Sequence, residues 1–117
     1  MGDKMIESFS FGVMVIGGRR ITSDLTIYPN GRIQDGWWRS RGHKLIRRDI
    51  QALVDSNPEV IIVGMGVNGL MKPERGLDKW VQSLGIEFMA GPNDKAVAWY
   101  NQQIGKNRVG ACFHLTC

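Results

Sequence analysis

Cysteine is scarce in this sequence: there are two in 117 residues, Cys112 and Cys117, both late. Two late cysteines make no disulfide framework, so a hydrophobic core must hold the fold. No apolar run approaches the ~18 residues of a membrane helix, which excludes a helical span and any membrane partner of that kind. The start, Met1-Gly2-Asp3-Lys4-Met5-Ile6, carries an early acid and no apolar h-region, so no secretory signal is read there. Ile6 stands where a myristoylated chain has Ser or Thr. A reducing, cytoplasmic compartment is the expectation, with residues 1–4 read as a flexible extension. Internal repeats, low-complexity tracts and linkers are all missing.

Catalytic patterns are missing too. There is no Ser-His-Asp order, no paired-carboxylate motif and no nucleophile elbow, and Asp24, after Thr22-Ser23, reads as a turn residue. Cys112, His114 and Cys117 form C-x-H-x-x-C, but no fourth ligand accompanies them. Thiol and imidazole two apart on one strand rarely converge into a catalytic pair. Cys112 therefore reads as a small core residue, with no metal and no cofactor expected.

What is present suffices for one domain spanning 1–117. The chain is 43% hydrophobic, and 15 Lys and Arg against 11 Asp and Glu give a net charge of +4. A modest, dispersed excess makes a solvated basic surface more readily than a nucleic-acid site.

Taken in order, Ser8 to Ile16 alternates around Phe9, Phe11, Val13 and Val15, the period of a half-buried strand. Gly17-Gly18 supplies a hairpin turn and Tyr28-Pro29-Asn30-Gly31 a second, so the first third predicts an antiparallel meander. Ile46, Ile50, Leu53 and Val54 predict a helix, poorly capped because Arg47 and Arg48 offer no acceptor and stopped by Asn57-Pro58. Val60–Val63 reads as a buried strand. Pro73 opens a second helix with the stripe Leu77, Trp80, Val81, Leu84. Ile86–Ala90 is a strand, and Asn93 or Asp94 caps a third helix with Val97, Tyr100 and Ile104 inward. Arg108–Leu115 is the last strand. Alternating strands and helices give a βαβαβ unit with parallel pairing. The fold class is α/β: a single compact layered domain in which the meander packs with a mixed sheet, and about three helices.

The stretch Val60–Lys72, VIIVGMGVNGLMK, matches G-x-G-x-x-G after a strand. Three observations oppose a dinucleotide. A helix running from the glycines would hold Pro73 in its interior, at ~3 kcal/mol. The far end of the next strand, Met89-Ala90-Gly91, has no acid for a ribose. Only one βαβαβ half is present. Gly64, Gly66 and Gly69 then read as a tight strand exit; if the loop binds anything it is a small anionic group held by backbone N–H groups, with Lys72 as counter-charge.

Trp37, Trp38, Arg39, Arg41, His43, Lys44, Arg47 and Arg48 form the densest aromatic and basic cluster. Such a cluster can anchor a protein interface or stack on bases, or simply cap the core with its cations in water.

SFSFG (Ser8–Gly12), SDLTIYPNGR (Ser23–Arg32), WWRSRGH (Trp37–His43), IIVGMGVNGLMK (Ile61–Lys72) and FHLTC (Phe113–Cys117), in this order and spacing, resemble a family of small single-domain α/β proteins. Its eukaryotic members include the adipogenesis-associated domain protein and a mitochondrial assembly factor of respiratory complex I. The resemblance covers about Ile6 to Cys117. It implies a layered α/β fold, no established catalytic activity and a tendency to bind proteins during assembly. It also implies a pocket region near Gly64–Gly69 with Arg39, His43 and Lys72. The first expectation is a non-enzymatic binding or assembly module, monomeric or a small homo-oligomer, with Trp37, Trp38, Arg39 and Arg41 as interface. The alternative is a small-molecule site, for an anion or carboxylate, at the glycine loop. Weak nucleic-acid binding is third.

Overall fold

The stretch from Ser8 to Ile16 reads as one strand and folds as two. In the computed structural model, which describes residues 5–117, β1 (Ile6–Ser10) and β2 (Val13–Ile16) pair antiparallel. The N-terminal extension, residues 1–4, lies outside the described residues. The reversal falls at Phe11-Gly12, where Gly12 takes φ of +82°, a left-handed conformation costing other residues roughly 1–2 kcal/mol. β3 (Arg19–Ile21) follows the Gly17-Gly18 turn and completes a three-stranded sheet in the order β1-β2-β3.

The expected single meander stops there. β4 (Leu25–Ile27) and β5 (Ile33–Asp35) pair with each other across the turn in which Gly31 N–H donates to Tyr28 O at 2.8 Å, and they belong to the main sheet. The reason lies in burial: Leu25, Thr26 and Ile27 are all covered. A strand buried on both faces suits the middle of a layered sheet, not a half-wet meander.

β7 (Val60–Gly64), β9 (Glu87–Gly91) and β10 (Val109–Phe113) run parallel and complete the main sheet in the order β5-β4-β10-β7-β9, with β10 antiparallel to β4. The expected βαβαβ unit is therefore present. β9 lies on one side of β7 and β10 on the other, so the two crossovers travel in opposite directions. With right-handed connections, their helices land on opposite faces. α3 (Asn93–Gln103) packs on one face with the three-stranded sheet, around Met14, Ile16, Leu25, Ile62, Tyr100 and Phe113. α1 (Arg47–Asp55) and α2 (Leu77–Ser83) cover the other, around Leu45, Leu53, Ile61, Val63, Leu77 and Cys112. Close approach of α1 needs Gly110, where a Cβ would stand 2.7 Å from the Leu53 side chain.

Helix beginnings differ from the sequence reading. α1 is better capped than Arg47 and Arg48 suggest, because Asp49 Oδ2 accepts from Ile46 N–H at 2.9 Å. Pro73 does not open α2. It pairs in β8 (Lys72–Pro73), parallel to β6 (Lys44–Leu45), and Glu74 N–H continues the ladder to Leu45 O at 2.8 Å. The helix starts only at Leu77, behind Gly76, and ends at Ser83, so Leu84 leaves the inward stripe and is exposed. Asn93 is no cap either; its side chain is buried and bonded elsewhere.

Candidate functional site

Register puts four residues in one row at one end of the main sheet. Leu25 pairs with Phe113, Phe113 with Gly64 and Gly64 with Gly91. The chain just beyond that row, at Asp24, His114, Met65 and Pro92, therefore emerges side by side. The row lies at the carboxyl ends of the three parallel strands, where open α/β sheets place their ligands.

Asp24 is the centre of this end. Its Oδ2 accepts from Arg39 Nη1 at 2.7 Å and meets His114 Nδ1 at 2.8 Å, while Oδ1 accepts from Leu115 N–H at 2.8 Å. An ionised carboxylate only accepts, so His114 Nδ1 carries the hydrogen. Arg39 Nη2, 3.1 Å from the same Nδ1, is then a close donor neighbour and not a bond; it donates to Gly42 O at 3.0 Å. The guanidinium also lies on the Trp37 ring, 4.8 Å from its centroid. On its far side, His114 Nε2 stands 3.3 Å from Thr116 Oγ1. The His43 ring meets His114 edge-on, centroids 5.9 Å apart.

The centre is nearly dry: side chains are 5% exposed at Arg39 and 19% at Asp24. Burial, the largest single influence, pushes the Asp24 carboxyl up. The hydrogen bonds from His114, Leu115 N–H and Arg39 together outweigh it and hold the group below its ordinary value. Two buried polar atoms have no partner among the described residues, Arg39 Nε and Ser40 Oγ.

The glycine loop wraps the segment after β10. Met65 N–H donates to Gly91 O at 2.9 Å, Gly66 N–H to Asn93 Oδ1 at 3.1 Å, Val67 N–H to Thr116 O at 2.7 Å and Leu70 N–H to Cys117 O at 2.9 Å. Gly69 and Met71 donate within the loop, to Gly66 O and Met65 O. Six of the loop amides, at Met65, Gly66, Val67, Gly69, Leu70 and Met71, are thus engaged, and an anion held by them would have to displace these bonds. Asn93, 1% exposed, ties loop to strand, since its Nδ2 also donates to His114 O at 2.8 Å. Gly66 sits at φ +102° and a Cβ there would run into the Cys117 carbonyl and the His114 ring. At Gly64 it would strike Phe113 and the Asn93 amide; Gly69 rests on Pro92.

Of the residues singled out in the sequence, Arg39, His43 and Gly66 gather around His114. Lys72 reaches this group only through its backbone, N–H to His43 O at 2.9 Å, and its side chain is exposed. Asp24, Asn93, His114 and Thr116 complete the centre; the sequence reads Asp24 as a turn residue, Asn93 as a helix cap and His114 as part of C-x-H-x-x-C. No local pattern brings the four together; the strand register does. Cys112 goes elsewhere, into the core beside Leu53, where burial pushes its thiol up. Among the described residues no three His, Cys, Asp or Glu side chains are grouped to hold a metal, and no helix is long and apolar enough to cross a membrane.

The adjacent tryptophans have opposite fates. Trp37 is pinned, its Nε1–H donating to Asp49 O at 3.0 Å, while Trp38 is 77% exposed. Both line a cleft of about 420 Å³ between α1 and the β4–β5 face, with Thr26, Gln34 and Arg48. Beyond Tyr28 a second cleft of about 620 Å³ continues along α1, past Arg32, Asp55 and Arg108. Arg41 is exposed as well.

Fold and site together define a small layered α/β domain whose sheet is closed at one end by a buried Asp–His–Arg centre. The chain belongs to the family described as a protein of unknown function (DUF498/DUF598), which it matches over residues 6–114. Among solved structures it is similar to a conserved hypothetical protein from Pyrococcus horikoshii, with 28% identity, coverage of 96% of this chain and 98% of that one, and a TM-score of 0.81. A protein from Rhodopseudomonas palustris is 23% identical over 93% of this chain and 81% of its own, with a TM-score of 0.74. A Bordetella pertussis protein described as a Mth938-like domain shares the fold at 15% identity, 96% and 85% coverage and a TM-score of 0.70. No curated protein matches the sequence.

Proposed function

We propose that this domain is a binding or assembly module that takes a protein partner in the cleft between α1 and the β4–β5 face. The observation that carries this reading is Trp38, exposed at the lip of the cleft while Trp37 beside it is held by a hydrogen bond and the Arg39 guanidinium. A large aromatic left in water next to a concave surface is the kind of group that dominates interface energies. The resemblance read from the sequence, to a family of small α/β proteins that includes an assembly factor of respiratory complex I, points the same way. Arg39, buried in its ion pair, serves the fold of this surface and not its contact face. The test is quantitative capture from native lysate with the full chain and its Trp38→Ala variant. Partners retained by the first and lost by the second support the reading; identical partner sets, or none above background, overturn it.

A second reading is favoured by the unpartnered Arg39 Nε and Ser40 Oγ: a small anion or carboxylate taken up at the sheet end near His43, Gly66 and Lys72. Phosphate, sulfate and acetate are the probes. A ligand at 100 times its Kd raises stability by about 2.7 kcal/mol; an unmoved melting temperature with all three removes this reading.

A further inference from the structure

The sheets of this protein differ in how their edges are protected. An open edge strand offers unpaired N–H and C=O groups to other chains, and natural proteins blunt it with short length, charge or cover. In the small sheet, Asn101 covers β1: its Oδ1 accepts from Ile6 N–H at 2.9 Å and its Nδ2 donates to Ile6 O at 3.0 Å. In the main sheet, β5 is only Ile33-Gln34-Asp35, with the last two exposed. β9, the opposite edge, is neither short nor covered by a side chain bonded to its free backbone groups, and its one charge is at its first residue, Glu87. It is five residues long, uncharged from Phe88 to Gly91, and Phe88, Met89 and Ala90 are only half-buried.

Parity decides which groups are free. Glu87 N–H donates to Glu59 O and Gly91 O accepts from Met65 N–H, so residues 87, 89 and 91 direct their backbone groups toward β7. In a parallel ladder the alternate residues, Phe88 and Ala90, direct theirs outward. Among the described residues nothing bonds them.

We propose that the protein forms a twofold dimer through β9, the two main sheets joining edge to edge into one. An antiparallel pairing centred on Met89 sets Phe88 opposite Ala90 of the second copy and Ala90 opposite its Phe88. All the outward N–H and C=O groups of both copies then exchange hydrogen bonds as narrow pairs. Shifting the centre to Ala90 would set Phe88 against Pro92, which has no N–H. The side chains suit the Met89-centred register. On the α2 face a large Phe88 meets a small Ala90. On the α3 face Met89 meets its own copy, and Glu87 falls opposite Gly91. That glycine lies under the Trp99 ring and beside Lys95, 2.8 Å and 3.7 Å from where a Cβ at position 91 would stand. Glu87 and Lys95 are exposed and make no ion pair within the chain among the described residues. The dimer brings each Glu87 to the second copy's Lys95, twice by symmetry, and sets no like charges opposite one another. The surface is separate from the α1 cleft, so this inference stands or falls independently of the proposed partner.

The experiment is sedimentation equilibrium of the full chain with amide hydrogen exchange across a protein dilution series. The expected result is twice the 13.1 kDa chain mass. The Phe88 and Ala90 amides should be protected in the concentrated sample and exchange freely on dilution, while Met89 and Gly91 stay protected throughout. Ala90→Pro removes an N–H that the subunit itself does not use, as proline is tolerated on edge strands, and should give a folded monomer. A monomer at all concentrations, or a dimer in which Phe88 and Ala90 exchange freely, overturns self-pairing. The exchange readout needs no variant, so it decides even if Ala90→Pro fails to fold.

Discussion

Asp24 holds together three chain segments with two oxygen atoms. Replacing it by Asn keeps the shape but leaves the Arg39 guanidinium, 5% exposed, without a counter-charge. Removing one partner of a buried pair costs about 3 kcal/mol or more, so Asp24→Asn is expected to lower the urea midpoint by a corresponding amount. The acid limb of stability carries a second signature. Because the folded carboxyl is held below its ordinary value, its contribution is fully present above the unfolded value of ~4 and is lost as pH falls through the lower folded value. Urea midpoints between pH 6 and pH 3 should therefore fall less steeply for Asp24→Asn than for the parent chain. Parallel acid limbs would contradict this account. The sequence reads Asp24 as a turn residue because its partner His114 is 90 positions away. Nothing in the neighbourhood of Thr22-Ser23 announces an antiparallel register with the last strand.

At the scale of elements, the loop glycines separate packing from backbone strain. Gly12 and Gly66 both have positive φ, but a Cβ at Gly12 meets nothing within 4 Å, whereas at Gly66 it runs into the Cys117 carbonyl. Gly12→Ala should cost only the left-handed strain, about 1–2 kcal/mol. Gly66→Ala adds overpacking of about 1–3 kcal/mol and should speed amide exchange in the segment from His114 to Cys117. Equal costs for the two variants would show that the loop does not grip that segment. Periodicity made most elements legible: Ile50 and Leu53 in α1, Val97 and Tyr100 in α3, and the buried run of β7 lie where their spacing predicts. It failed where tertiary pairing overrides local preference. Pro73 is a good helix opener by type, yet β6 recruits it into a strand. Trp37 and Trp38 are the same letter, and the carbonyl of Asp49 and the guanidinium of Arg39, both contacts made by the fold, tell them apart.

For the whole molecule, the two proposed surfaces lie at opposite edges of the main sheet. The α1 cleft adjoins β4 and β5, and pairing through β9 would leave it open in each copy. Trp38→Ala touches neither core nor edge, so its unfolding free energy should stay within about 0.5 kcal/mol of the parent while its dimer mass is unchanged. A large loss of stability would mean that Trp38 belongs to the fold. The layered α/β class was legible because helices and strands alternate after residue 46. The division of the first strands between two sheets was not, since alternation specifies a face and not which sheet the face belongs to.

The position of β10 has a consequence for how the protein is made. It is made after β4, β7 and β9, yet it lies in the middle of the main sheet, between β4 and β7. Until Phe113 has been synthesised, the β4–β5 hairpin and the β7–β9 pair have no strand to join them, and β4 and β7 lack the neighbour they pair with. Domains fold as the chain is synthesised at about 5–20 residues per second, so this one waits with apolar strands open for most of its synthesis. It then closes by a long-range pairing of the kind that folds slowly. A chain interrupted before Val109 is not a shorter version of the domain; it is two pieces of sheet with the seam missing.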